Sequence, residues 1–145
     1  MADSYRRESA FIRGFAILGR FLRAALDFSG HSRYLRDMYN LSDNERVALA
    51  KLKGALSRDF KLVELRLFGS KARGDSHRES DMDALIVLED YDWETEKAVY
   101  DLCYDISVDH SVVIAPSLYS RAEFDSPLER ATLFSQAVEL EGVPL

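Results

Sequence analysis

The chain has 145 residues, 47% hydrophobic and 30% charged with seven Gly and three Pro: about one domain's worth, too short for two ordinary catalytic domains and unlike a disordered or low-complexity polymer. A formal charge of −6 argues against a broad phosphate-gripping surface, while leaving room for a small acidic site that meets nucleotide through metal ions. One cysteine, Cys103, excludes an internal disulfide and a Cys-based zinc site, and makes a reducing, cytoplasmic setting the expectation.

Charge divides the chain. Residues 1–40 hold seven Arg against four carboxylates, a net of +3, which leaves −9 on the rest. With Asn40-Leu41-Ser42-Asp43 at the seam, an N-terminal helical extension over 1–40 and a compact acidic domain over 41–145 are expected. In the extension, Phe11, Phe15, Leu18, Leu22 and Ala25 form one stripe of an amphipathic helix. Arg13, Arg20 and Arg23 interrupt its apolar runs, so no membrane span is expected, and the pattern fits neither a signal nor a transit peptide. Such a stripe is expected to pack on its own domain or on a second subunit, with docking on a membrane surface or a partner protein as the alternative, which makes a homodimer a reasonable expectation.

The compact domain opens with a capping box, Ser42-x-x-Glu45, ahead of a helix over about 43–58. A strand follows through 61–68, with Val63, Leu65 and Leu67 expected on one face, and ends at Gly69-Ser70. A second strand is expected over 83–88 and a helix over 93–104 after the acidic turn Glu89-Asp90-Tyr91-Asp92, with Trp93, Tyr100 and Tyr104 as core or interface aromatics. Val108 to Ala115 reads as a third strand stopped by Pro116. Ser126-Pro127-Leu128-Glu129 starts a last helix that Gly142 can end.

Two features of residues 68–83 carry chemistry. Gly69-Ser70 stands where a strand gives way to a turn or helix, so backbone N–H groups and the Ser70 hydroxyl can meet an anion that glycine lets approach closely. Asp81 and Asp83 are two apart at the start of a strand, which puts both carboxylates on one face about 6–7 Å apart. Hard oxygen donors of that kind suit Mg²⁺ or Mn²⁺, which bridge to substrate phosphates.

Leu67-Phe-Gly-Ser-Lys-Ala-Arg-Gly74 followed by Ser80-Asp-Met-Asp-Ala-Leu-Ile-Val-Leu88 resembles the G-S-x-A-R-G and S-D-x-D signature of small nucleotidyltransferases in the DNA polymerase β superfamily. The likeness extends more weakly over about 41–145 and leaves 1–40 unexplained. It implies an α+β fold, a mixed sheet flanked by helices, in which Gly69 and Ser70 hold the β- and γ-phosphates and Asp81 and Asp83 bind Mg²⁺. It also implies transfer of AMP from ATP to an acceptor hydroxyl with release of pyrophosphate. Lys71 and Arg73 are candidates for further phosphate contact, with the arginine as a prop for the loop in the alternative; Gly74 serves a turn and Ser80 fixes the loop ahead of Asp81.

Active members of the superfamily usually carry a third carboxylate on a neighbouring strand. In Ile106–Ala115 the choice is Asp109, on the face expected to include Ser107, Ser111 and Val113; Asp105 has the same parity, and Ser111 in the acidic position would leave the triad incomplete. His110 falls on the other face, His77 lies in the loop between the motifs, and His31 has no partner. Two functions follow from the resemblance: a minimal nucleotidyltransferase acting on a small molecule, a protein side chain or an RNA end, or an antitoxin-like module that neutralises a small helical toxin-like protein, with or without adenylylating it. The acceptor is not written in the sequence.

Overall fold

The computed structural model describes residues 41–77 and 80–145. The amphipathic stripe expected over residues 11–25 and the rest of the 1–40 extension lie outside them. Helix α1 (Asp43–Asp59) is followed by strand β1 (Leu62–Phe68), the one-turn helix α2 (Gly69–Arg73), strand β2 (Met82–Leu88) and helix α3 (Trp93–His110). Strand β3 (Ile114–Ser120), two one-turn helices, α4 (Arg121–Phe124) and α5 (Pro127–Arg130), helix α6 (Leu133–Glu141) and a short strand β4 (Val143–Pro144) complete it.

The strands form one mixed sheet of order β3-β2-β1-β4, with β1 antiparallel to β2 and β4, and β2 parallel to β3. This is the expected α+β architecture. Alternation along β2 sends Met82, Ala84, Ile86 and Leu88 into the main core beneath α1 and α3, and Leu85 and Val87 into a smaller cluster with Val138 of α6 and the rings of Phe68, Tyr119, Phe124 and Phe134. β2 is apolar almost throughout because both faces are covered, and Asp83 is the exception, with Asp81 just ahead of the strand.

Local signals placed most boundaries. The Ser42 side chain accepts from the Glu45 N–H and the Glu45 carboxylate accepts from the Ser42 N–H, completing the capping box that starts α1. Asp92 caps α3 through the Thr95 N–H, and Ser126 with Pro127 starts α5 as the sequence indicated. The single last helix is broken, however, because Thr132 caps a fresh start at Leu133 by accepting from the Ser135 N–H.

Three further expectations are corrected. The segment 108–113 is not a strand: α3 continues to His110, because Val99, Cys103 and Ile106 keep burying one helical face and the Ser107 hydroxyl donates to the Cys103 carbonyl. Ser111 then takes a left-handed turn at φ 53°, and β3 begins at Ile114 and runs through Pro116. An edge strand tolerates proline, which lacks an N–H to donate. Val63 does not share a face with Leu65 and Leu67, since a bulge between Leu62 and Glu64 turns Leu62 to the main core and Val63 to the smaller one. Trp93, Tyr100 and Tyr104 are 71%, 43% and 70% exposed, so of the two places expected for them, core or interface, the core does not hold.

Among the described residues no helix is long and apolar enough to cross a membrane. Ile86 is fully buried in β2 with strands on both sides. Ile86→Ala is expected to cost about 2–5 kcal/mol, the range for truncating a packed aliphatic side chain, measured by denaturant unfolding with the slope unchanged.

Candidate active site

Antiparallel pairing sets the last residue of β1, Phe68, opposite Asp83 of β2. Gly69 follows at φ +72°, and a Cβ built on it would lie 2.3 Å from the Asp83 Oδ2. The backbone of the Gly69-Ser70 turn therefore packs directly on the second aspartate, and only a residue without a side chain fits at that spacing. Ser70, the next residue, enters α2, whose N-cap, Phe68, offers no side-chain acceptor to the first-turn N–H groups. Gly74 closes α2 in the left-handed region at φ 80° and donates its N–H to the Ser70 carbonyl, the turn the sequence assigned to it.

Asp81 is exposed and Asp83 half-buried, while Met82 between them is buried in the core, so the two carboxylates project to the same side of the sheet. Burial raises the Asp83 pKa above the usual carboxylate value, the Asp81 charge raises it further, and the Arg73 guanidinium partly opposes both. Like charges held at one strand end, with Asp83 Oδ2 against the open Cα of Gly69, suit a hard divalent cation, and Asp81 and Asp83 are the residues that would hold it. Just ahead of them, Ser80 Oγ accepts from the His77 N–H at 2.9 Å and the Ser80 N–H donates to the His77 carbonyl, a tie of the kind expected of Ser80. His77 itself contributes backbone groups, and its side chain is exposed.

Lys71 departs from the expected phosphate contact. Its ammonium lies 2.7 Å from Glu45 Oε1 and donates to the His77 carbonyl at 3.2 Å, and the two side chains are 3% and 8% exposed. It points to α1 and the loop, and acts as a brace. Burial raises the Glu45 pKa, but hydrogen bonds from Lys71 and Ser42 outweigh burial and hold the carboxyl below its usual value. This brace escaped the sequence reading because its partners lie 26 and six residues away; the capping-box glutamate was the only available signal.

Arg73 Nη1 donates to Glu141 Oε2 at 2.8 Å and Arg73 Nε to Asp75 Oδ2 at 3.2 Å, so it ties α2 to the end of α6 while lending positive charge to Asp83. That is the propping role foreseen as its alternative.

Asp109 does not stand on a strand beside the aspartates. It occupies the last turn of α3 and is exposed, and Asp105 lies one turn earlier on the same helix, because the helix runs six residues past its expected end. Ser111 is the helix cap rather than a strand position. Cys103 is buried, and burial pushes its thiol up to about 12, which removes it as a nucleophile.

Residues 49–138 match the family model described as a nucleotidyltransferase domain. An 88-residue stretch is 35% identical to a Methanocaldococcus jannaschii protein provisionally named a protein adenylyltransferase, covering 59% of this chain and 83% of that one. A crystal structure of a toxin–antitoxin with AMP-PNP is 22% identical, covering 71% of this chain and 72% of that chain at a TM-score of 0.46. A structure provisionally described as a minimal nucleotidyltransferase is 25% identical, covering 72% of this chain and 97% of that chain, also at 0.46.

Two outcomes follow from the geometry. Gly69→Ala is expected to lose about 1–2 kcal/mol from the left-handed backbone alone and more from the clash with the Asp83 carboxylate, measured by thermal melts against wild type. Lys71→Met leaves Glu45 buried without its partner and is expected to cost about 3–5 kcal/mol, most of it recovered when Glu45→Gln is added; thermal melts of the single and double variants measure this.

Proposed function

Because the chain belongs to the nucleotidyltransferase domain family, we propose that it transfers AMP from ATP, with Mg²⁺ or Mn²⁺, to a hydroxyl on a protein acceptor. The single observation that carries the reading is the packing of the Gly69-Ser70 turn on Asp83, with Asp81 beside it, at one end of the β1–β2 pair. The name of the Methanocaldococcus jannaschii relative supports protein as the acceptor class. A small helical toxin-like protein fits this chemistry as one such acceptor.

In this reading the triphosphate lies along the Gly69-Ser70 turn, where the missing side chain lets a phosphate oxygen reach backbone N–H groups. The acceptor oxygen attacks the α-phosphorus, the bond from that phosphorus to the bridging β-phosphate oxygen breaks, and pyrophosphate leaves; the hydroxyl proton passes to a base or to water. Asp81 and Asp83 would hold the divalent cation, which would neutralise charge on the α-phosphate and the leaving group. Arg73, fixed by Glu141 and Asp75, keeps α2 in place and adds positive potential near Asp83. The turn through Ser80 and His77 holds the loop that delivers Asp81.

Incubation with α-phosphate-labelled ATP, Mg²⁺ and candidate acceptor proteins tests the reading. Wild type is expected to label an acceptor, and Asp81→Asn or Asp83→Asn to lower the rate by at least about 100-fold, the scale of losing a principal electrostatic group. Undiminished labelling by both variants would overturn it.

A further inference from the structure

The neighbours of Asp83 across the sheet hold no acid. The parallel register sets Ala115 of β3 opposite Asp83, and Ser117 and Tyr119 continue that face toward the Phe134 ring. No residue of β3, Ile-Ala-Pro-Ser-Leu-Tyr-Ser, is acidic. On the other side, β1 presents Phe68, whose ring is packed edge-on against Phe134. Asp105 and Asp109 belong to α3, and among the described residues no group of three His, Cys, Asp or Glu side chains could hold a metal ion together.

A divalent cation with octahedral demands takes one or two carboxylates and completes its shell with water and substrate phosphate. Asp81 and Asp83 meet that need once. Among the described residues, a second ion about 3.5–4 Å away would have to share those same oxygens, because the β3 residue paired with Asp83 is Ala115.

We propose that Asp81 and Asp83 form a one-ion site, in which the nucleoside triphosphate is held with a single divalent cation and the acceptor hydroxyl loses its proton to a group that β3 does not supply. This rests on the nucleotide-site reading above and narrows it.

Counting bound Mn²⁺ by electron paramagnetic resonance, with a non-hydrolysable ATP analogue at saturation, tests the proposal. One ion per wild-type chain is expected, and two would overturn it while leaving the nucleotide site intact. No ion and no retained analogue would overturn the site reading and the proposal together. Ala115→Asp is expected to raise the count to two, whereas Ala115→Asn, of equal size and uncharged, stays at one. An A115D variant that folds by circular dichroism and still holds one ion would contradict the placement of Ala115. The wild-type count decides the proposal even if A115D fails to fold.

Discussion

Everything in the candidate site depends on one close approach, the backbone at Gly69 lying against the carboxylate of Asp83 where β1 and β2 pair. Antiparallel pairing fixes which residues face each other, and a one-residue slip would turn Asp83 into the core and Met82 out of it. The apolar residues of β2 on both faces resist that slip, so the cost of misregister across the sheet secures the placement of two charged groups at its end. The glycine then supplies the clearance that the pairing requires.

The short helix α2 is too small to hold itself in place, and it is secured from two directions. Lys71 joins it to Glu45 of α1 and to the loop at His77, while Arg73 joins it to Glu141 of α6. The first connection is buried and the second partly exposed, so they differ in character. The buried pair is costly to break because a lone charge would be left in the core. The exposed one contributes less to stability, being screened by solvent, and more to the potential near Asp83. Glu45 takes part in both the cap of α1 and the brace on α2, so the start of α1 and the Gly69-Ser70 turn are mechanically one unit.

Much of this was legible in the residues. The capping box at Ser42, the turn glycines and the spacing of Gly69-Ser70 from Asp81 and Asp83 are local, and local patterns survive folding. The misreadings were of tertiary origin. Residues 105–113 alternate β-branched and polar side chains in a way that suits a strand, but the buried period through Ile106 and the Ser107 bond to Cys103 extend the helix. Pro116 looked like a terminator because the sequence does not tell an edge strand from a central one. Lys71 looked like a phosphate ligand because it follows the turn, and only the fold shows Glu45 waiting for it. Placing Asp109 depended on the strand that is not there, and with it went the expected third acid.

A crystal of the full chain grown with Mn²⁺ and a non-hydrolysable ATP analogue, its metal located by anomalous scattering, tests the central claim most directly. The account predicts manganese at coordination distance from both Asp81 and Asp83, with phosphate oxygens of the analogue shared between the ion and the Gly69-Ser70 backbone. Nucleotide bound elsewhere, or an ion that touches neither aspartate, would contradict it.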